Sequence, residues 1–292
     1  MVSISTNLSI LSIVYMMMKI KDNFHTHIYL CKHATGNVED YVKRAIELNY
    51  ESIGISDHGP LTEYFLNKFV TRRMTIDEYK NIYLPEIINA KKKFFDKITV
   101  LGALEIEFYE ELSTEYAKWH QELDYLILGQ HNIELNDHNF KTIYQCTPGN
   151  KDELELYVKK VIDGLNSGFF DILAHPDIFM MFYQKWDNWA ILGAKKIIET
   201  AIKNNVLLEL NANGIRKGKI TNLEGIETYK YPFIEFWRLV ANYKDAKVII
   251  SDDAHKVSHL KDQATIEAYK IADELGLNIE TNFIDYIKKK KS

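Results

Sequence analysis

Seven short apolar runs, rich in β-branched residues, alternate along this chain with segments that have helical spacing. The runs are DNFHTH near the start, SIGIS at 52–56, ITVLGALEIE at 98–107, DYLILG at 124–129, FDILA at 170–174, VLLELN at 206–211 and AKVIIS at 246–251. Each run has the length and character of a buried strand. Their alternation with helices predicts an α/β fold with a parallel sheet, and seven strands favour a closed barrel over an open doubly wound sheet.

The segments between the runs carry signals for the ends of helices. Asn37 is a candidate N-cap for NVEDYVKRAIEL, and Thr75 with Glu78 forms a capping box at the start of TIDEYKNIYLPEIINAKKKFF. Gly276 has the position of a C-cap after the last predicted helix. Further helices are predicted at 151–166, 187–204, 229–243 and 263–275.

The chain contains no linker or low-complexity tract within 19–285, so residues 18–285 are predicted to form a single domain. The apolar run LSILSIVYMMM is shorter than the ~20 residues that span a bilayer, and no Lys or Arg precedes it as in a signal peptide. We therefore expect residues 1–17 to be a non-native or disordered extension, with Met18 as the natural start. Residues 286–292 are expected to form a basic C-terminal tail, in which the run KKKK at 288–291 is frayed and solvated.

The charge balance and the cysteine content exclude several classes of protein. The net charge is −5, which argues against electrostatic capture of nucleic acid. Two cysteines, Cys31 and Cys146, are too few for a disulfide framework or a cysteine-rich zinc module. This cysteine content fits a reducing compartment, so we expect a cytoplasmic protein. We also expect a small-molecule substrate and no nucleic-acid or membrane partner. The oligomeric state is left open.

Polar side chains follow most of the predicted strands at the point where each strand ends. They are His25, His27, Asp57, His58, Glu105, Glu107, His131, His175, Asn211, Asp253 and His255, and His33 lies shortly after the first strand. The carboxyl ends of the strands of a barrel meet at one mouth, where active sites are built. Seven of the ten histidines belong to this group, whereas His120, His138 and His259 are expected to be structural or solvated.

Metal binding is the interpretation that accounts for the whole group. A single histidine at a strand end is more often a satisfied polar side chain than a ligand. Seven histidines with Glu105 and Asp253 at one rim, however, would carry a large desolvation cost without cations. Imidazole and carboxylate together suit zinc, iron or manganese better than calcium. Nine candidate ligands exceed the needs of one tetrahedral ion, so we expect two or three divalent transition-metal ions.

The chain resembles the PHP superfamily (polymerase and histidinol phosphatase), and within it the histidinol-phosphatase branch. The resemblance rests on HTH with CKH beyond it, ISDHGP, LGALEIEFY, GQHN, AHPD, ELNANGIRKG followed by YP, and SDDAH, in that order over about residues 19–260. It implies the PHP fold, a distorted seven-stranded (β/α) barrel that holds three metal ions. The family usually has Gly-Ser where this chain has Ser251 and Asp252, and a supporting role and no role are equally open for the extra carboxylate.

The resemblance also implies an assignment of the ligands. One metal is expected to bind His25, His27, Glu105 and Asp253. A second is expected to bind His131 and His175, with Glu105 as a bridge. A third is expected to bind His33, His58 and His255. Cys31 is given no ligand role.

The function expected from this cluster is hydrolysis of a phosphomonoester by a metal-bridging hydroxide, with Glu105 and Asp253 acting through the metals. Arg216 is the candidate cation for the departing phosphate, and the alternative is a surface arginine in a basic turn. The leading substrate is L-histidinol phosphate, as in histidine biosynthesis. Glu107 is then expected to meet its amine and Tyr109 to line its pocket, although both are equally compatible with structural roles.

Other functions remain as alternatives. The nearest is a PHP phosphoesterase that acts on another small ester, such as a nucleotide or a sugar phosphate, because metal ligands contact only the phosphate. A PHP module of a DNA polymerase is disfavoured because no basic stripe is present. The last alternative is a protein that binds metal but catalyses no reaction. The open mouth of the predicted barrel and Arg216 argue weakly against it.

Overall fold

The fold is known from a computed structural model that describes residues 18–62, 65, 73–136 and 139–291. Its eleven strands, numbered β1 to β11, are Asp22–Asn23, Ser52–Ile55, Thr99–Ile106, Tyr125–Leu128, Asn132–Asn136, Asn139–Thr142, Ile172–Leu173, Leu207–Asn211, Lys219–Thr221, Glu227–Tyr229 and Val248–Ser251. Residues 1–17 and His138, for which an extension and a structural or solvated histidine are expected, lie outside the described residues.

Seven of these strands form one parallel sheet in the order β1-β2-β3-β4-β7-β8-β11. They coincide with the seven apolar runs, and the expected distorted (β/α) barrel is confirmed. The residues of β2, β4 and β11 are all buried, as expected for strands covered on both faces. The two other pairs, β5 with β6 and β9 with β10, are antiparallel hairpins that the sequence did not predict.

Backbone hydrogen bonds between the two ends of the sheet close the barrel. The N–H of His27 donates to the carbonyl of Ala254 at 2.9 Å, and the N–H of Ala254 donates to the carbonyl of His25 at 3.1 Å. Thr26 and Ala254 thereby form a parallel bridge. The residues that close the barrel are therefore adjacent to, or identical with, the candidate ligands at its mouth.

Helices surround the sheet. In chain order α1 to α11 are Val38–Glu47, Ile76–Glu78, Leu84–Lys93, Ser113–Glu122, Lys151–Asn166, Met180–Tyr183, Asn188–Lys203, Ala212–Arg216, Ile234–Val240, Gln263–Leu275 and Phe283–Lys291, and a π-helical turn at Tyr79–Tyr83 joins α2 to α3. None of the helices in the described ranges is long and apolar enough to cross a membrane.

The predicted helix boundaries are mostly confirmed. Asn37 and Thr75 both cap their helices through reciprocal capping boxes, and Gly276 ends α10 in the left-handed conformation with φ 63°. The helix predicted at 229–243 is shorter, because 229 ends a hairpin strand and Pro232 disfavours helical backbone at the residue before it. Helix α4 was not predicted.

The expectation of a solvated tail at 286–292 is wrong for the residues up to 291. Helix α11 lies across the amino-terminal end of the barrel, where Phe283 and Ile287 join a buried apolar cluster with Phe24. Its lysines then bind backbone carbonyls that precede two strands: the Nζ of Lys290 donates to the carbonyl of Phe170 at 2.6 Å, and Lys291 likewise binds nearby carbonyls. The i, i+4 spacing of the two apolar residues, rather than the lysine run, determines this structure.

Phe283 is expected to contribute strongly to stability, because its ring lies 4.6 Å from that of Phe24 and 5.0 Å from that of Tyr125. Replacing a buried Phe with Ala typically costs about 3–5 kcal/mol. Urea unfolding of Phe283→Ala should therefore show a loss of this size, whereas Lys288→Ala on the exposed face of α11 should match the wild type. Equal midpoints for the two variants would contradict the packing described here.

Candidate metal centre

The predicted strand-end residues converge on a pocket of about 250 Å³ at the carboxyl end of the barrel. Its lining residues are His27, His33, His58, Glu105, His131, Tyr144, His175, Asn213, Lys217, Tyr231, Asp253 and His255. His25 lies fully buried behind them, within 3.0 Å of His27. All nine expected ligands therefore lie at one site.

The first pair of histidines, His25 and His27, has a defined tautomer. The Nδ1 of His25 lies 2.7 Å from a carboxylate oxygen of Glu209, and the Nδ1 of His27 lies 3.3 Å from one of Asp57. Because a carboxylate can only accept, each Nδ1 carries a proton and donates it, which leaves the Nε2 lone pair bare in the neutral imidazole. These two Nε2 atoms face each other at 3.0 Å.

A second pair repeats this arrangement with backbone carbonyls as the acceptors. The Nδ1 of His33 donates to the carbonyl of Cys31 at 2.8 Å, and the Nδ1 of His255 donates to the carbonyl of Asp253 at 3.2 Å. The Nε2 atoms of these two histidines lie 3.2 Å apart. Two nitrogen lone pairs at this distance repel unless a proton or a metal ion lies between them, so the geometry of both pairs fits a metal centre.

Glu105 lies between the groups of histidines. Its Oε2 is 3.0 Å from the Nδ1 of His58 and 3.4 Å from the Nε2 of His27. Its Oε1 is 3.2 Å from the Nε2 of His175 and 3.9 Å from that of His131. Each oxygen therefore faces a different set of imidazoles, an arrangement that suits a carboxylate shared by two ions.

Asp253 completes the centre from the last strand. Its Oδ1 is buried without a hydrogen bond of good geometry and lies 3.2 Å from the Nε2 of His27. Its Oδ2 accepts hydrogen bonds from the side-chain amides of Asn211 and Asn213, both at 3.1 Å. A buried carboxylate oxygen that faces an imidazole nitrogen without a hydrogen bond of good geometry is a further observation that fits a cation at this place.

Backbone strain is present at two of the candidate ligands. His175 has φ 33° and Asp253 has φ 45°, although both are L-residues with a Cβ. Such left-handed conformations typically cost about 1–3 kcal/mol and concentrate at functional sites. The strained backbone aims both side chains into the pocket.

The electrostatic field of the site favours positive charge. Burial acts to lower the pKa of His27, but hydrogen bonds with Asp253 and Asp57 raise it to about 9. Burial acts to raise the pKa of Glu105, but the charges of His25 and His58 hold it well below its usual range. The carboxylates are therefore ionised and attract a cation to the position between the imidazoles.

Three residues that support the site were not assigned from the sequence. Glu209 and Asp57 orient the first histidine pair, and a Cβ at Gly129 would lie only 2.1 Å from the Oε1 of Glu105. Glu209 could have been found from the sequence, because a carboxylate inside the apolar run VLLELN requires a buried partner. Gly129 could not have been found in this way, because the residue that it contacts, Glu105, lies in another strand.

The contacts of Arg216 do not support the phosphate contact that was expected for it. Its guanidinium binds Asp262 through Nε at 2.6 Å and donates to the backbone carbonyls of Asp252 and His259. It is absent from the lining of the pocket. Four of its five N–H donors bind these acceptors.

The next residue, Lys217, is the cation that lines the pocket instead. Its Nζ donates to the hydroxyl of Tyr231 at 2.8 Å. Surrounding protein atoms partly desolvate the ammonium and lower its pKa, while the negative charges of Asp253 and Glu105 act in the opposite direction. Lys217 was given no role from the sequence.

Glu107 and Tyr109, the expected substrate contacts, are also absent from the pocket lining. Both are fully buried. Glu107 binds Arg73, and the hydroxyl of Tyr109 accepts from the side-chain amide of Asn132 at 3.1 Å. The structural alternative therefore applies to both residues.

Several other polar residues are accounted for outside the centre. Asp252 accepts a hydrogen bond from Tyr50 at 3.0 Å and another from Thr265, away from the ligands. The thiol of Cys31 lies near His27 and Asp57, and burial raises its pKa to about 12, so it stays protonated. His120 lies on α4 and His259 in a 3₁₀ turn, outside the pocket lining.

Comparison with known proteins places the chain in a family. The PHP domain model matches residues 23–213. The chain belongs to the PHP domain family. It is 24% identical over 257 residues to a Schizosaccharomyces pombe protein named probable histidinol-phosphatase, with 79% of each chain covered. It is 23% identical over 260 residues to histidinol-phosphatase of Bacillus subtilis, which covers 81% of this chain and 94% of that protein.

A solved structure has the same fold. The histidinol phosphate phosphatase of Lactococcus lactis, solved with zinc, L-histidinol and phosphate, matches with a TM-score of 0.63 and 16% sequence identity. The match covers 89% of this chain and 95% of that chain. Family membership and the cluster of histidines and carboxylates together support a metal-dependent phosphatase.

The metal content of variants tests the site. His255→Ala and His175→Ala remove one imidazole each from different sides of Glu105, so each should lose about one ion per chain relative to the wild type. Elemental analysis after loading with Zn²⁺ or Mn²⁺ and exhaustive dialysis measures this. The matched control is His120→Ala, which should keep the full metal content. Wild-type metal content in both site variants would show that these imidazoles are not ligands.

Proposed function

We propose that this protein is a metal-dependent phosphomonoesterase that hydrolyses L-histidinol phosphate to L-histidinol and phosphate. One observation carries the proposal: two pairs of bare imidazole nitrogens, at 3.0 and 3.2 Å, lie beside Glu105 and Asp253 in an open pocket. Bound cations would relieve the repulsion within such a site, and its opening admits a ligand.

The proposed ligand sets follow the grouping of the side chains. They are His25, His27, Glu105 and Asp253 for one ion, His131, His175 and Glu105 for a second, and His33, His58 and His255 for a third. Two close groups in the structure match this division, His25 with His27 and Glu105, and Glu105 with His131 and His175. A third close group joins His27 to His58 and His255. Such ions supply an activated water near neutral pH and neutralise phosphate charge.

Lys217 is proposed as the protein cation that contacts the phosphoryl group, in the role first expected for Arg216. Its ammonium lines the pocket together with the ligands, and Tyr231 holds it through a hydrogen bond at 2.8 Å. A fixed positive charge at this place stabilises the negative charge that develops on the departing phosphate. Asn213 contributes indirectly by holding Asp253.

The choice of substrate rests on the relatives. Two of them are named as histidinol phosphatases, and the Lactococcus lactis enzyme was solved with L-histidinol and phosphate. The structure also favours one competitor, a small ester without an ammonium group. Glu107 is bound to Arg73, and among the described lining residues the carboxylates are the candidate ligands Glu105 and Asp253.

A phosphate-release assay separates the two candidates. The metal-loaded protein should hydrolyse L-histidinol phosphate with a kcat/KM at least tenfold above those for nucleotide and sugar phosphates. A tenfold difference corresponds to about 1.4 kcal/mol of transition-state discrimination. Metal-stripped protein serves as the blank. A tenfold preference for an ester without an amine would favour the competitor, and no release from any ester would refute phosphatase activity.

Lys217→Met tests the proposed phosphate contact. Loss of one preorganised charge at the developing anion is expected to lower kcat/KM by about 10²-fold for every ester, because all esters share the phosphoryl group. Lys217→Arg should recover part of the loss. Lys219→Met is the matched control, since Lys219 lies on the exposed hairpin beside Glu227. If Lys217→Met and Lys219→Met have the same activity, the contact does not exist.

A further inference from the structure

We propose that Arg73 and Glu107 form a buried positioning pair that fixes the imidazole of His131 toward the metal centre. The proposal rests on the metal-binding part of the proposed function and does not depend on the identity of the substrate. Neither the family resemblance nor any comparison assigns a role to Arg73, which lies in the segment between ISDHGP and LGALEIEFY.

The ion pair itself is almost entirely shielded from solvent. The Nη2 of Arg73 lies 2.5 and 2.6 Å from the two carboxylate oxygens of Glu107, and the side chains are 8% and 1% exposed. The Nη1 of Arg73 also approaches the carbonyl of Gly59 at 3.4 Å. Gly59 follows the candidate ligand His58, so one guanidinium joins the loop after β2 to the end of β3.

Glu107 in turn contacts His131. Its Oε1 lies 3.3 Å from the Nδ1 of His131, and because a carboxylate only accepts, that Nδ1 is the donor. The Nε2 is then the bare atom, and it points toward Glu105 at 3.9 Å. A hydrogen bond to the distal nitrogen of a ligating histidine commonly fixes its tautomer and ring orientation.

The position of His131 in the chain calls for such support. It lies on the short connection between β4 and β5, outside either strand, and its side chain is 17% exposed. The neighbouring Asn132 also reaches the Oε1 of Glu107, at 3.4 Å. Glu107 thus receives donors from Arg73 on one side and from residues 131 and 132 on the other, which holds its carboxylate in one orientation.

The competing interpretation is that Arg73 only neutralises a buried carboxylate and has no effect on the metals. The two interpretations differ in what happens when His131 is absent. A pair that acts through His131 has no further effect on metal affinity in a His131→Ala background, whereas a general structural effect persists there.

The test is a double-mutant cycle with Co²⁺ as the probe. Metal affinity is measured by competition with a chelator, and the d–d absorption of bound Co²⁺ reports its coordination. Glu107→Gln is expected to weaken binding of one ion by about 10–100-fold and to alter the spectrum. In His131→Ala, the same Glu107→Gln change should have no additional effect on either readout. Arg73→Lys, which keeps the charge, should lie nearer to wild type than Arg73→Met.

The matched control is Glu153→Gln, because Glu153 is also a buried carboxylate bound by a cation, Lys141, but lies outside the pocket lining. It should leave Co²⁺ affinity and spectrum unchanged. Unchanged Co²⁺ binding in folded Glu107→Gln, or an equal loss of affinity with and without His131, would overturn the proposal. If the Arg73 variants do not fold, the cycle with Glu107 and His131 decides alone.

The outcome is independent of phosphatase activity. If the wild type binds Co²⁺ and the cycle behaves as expected but no phosphate ester is hydrolysed, the proposed function fails and the positioning role stands. If phosphate esters are hydrolysed and Glu107→Gln binds Co²⁺ like the wild type, the positioning role fails and the function stands.

Discussion

The architecture of the site depends on the fixed direction of its imidazole protons. Four acceptors that cannot donate, the carboxylates of Glu209 and Asp57 and the carbonyls of Cys31 and Asp253, each take the Nδ1 proton of one histidine. The opposite nitrogens are therefore bare and converge in two pairs. Without protons or metal ions between them, this arrangement brings nitrogen lone pairs and ionised carboxylates together in one pocket, which is unfavourable. The Nδ1 hydrogen bonds of these four histidines therefore favour the state in which metal ions are bound.

The same residues connect the site to the closure of the barrel. His25 and His27 exchange backbone hydrogen bonds with Ala254, whose neighbours Asp253 and His255 are candidate ligands. The ladder that joins the first strand to the last and the group of ligands at the mouth therefore stabilise one another. At the opposite end, α11 covers the barrel with Phe283 and Ile287. Stability is supplied at that end by apolar packing, and the mouth is left free to carry strained backbone at His175 and Asp253.

The sequence was sufficient for the barrel and for the position of the candidate ligands at its mouth, because both depend on local patterns. Buried parallel strands are continuous apolar runs, and a ligand must lie where such a run ends. The residues whose roles were misassigned depended on the direction of a side chain or on a partner far away in the sequence. Arg216 and Lys217 are adjacent, and about 100° of helical rotation between them decides which enters the pocket. Glu107 was assigned to substrate because its partner Arg73, 34 positions away, gives no pattern in the sequence. The tail helix was missed because four lysines obscured the spacing of two apolar residues.

The distribution of the arginines explains why the metals would carry the positive charge of this site. Arg73 is committed to Glu107, and Arg216 to Asp262 and the backbone of Asp252. Within the part of the chain that the structure describes, Glu105, Asp253, Glu209 and Asp57 have no arginine or lysine in ion-pair contact, although all four are buried. Buried carboxylates without a cationic partner are rare and costly. The fold therefore neutralises the carboxylates around the centre with guanidinium groups and leaves those inside it to be neutralised by ions. Lys217, bound only to a neutral tyrosine hydroxyl among the contacts described, keeps its charge available at the mouth, where an incoming phosphate would meet it.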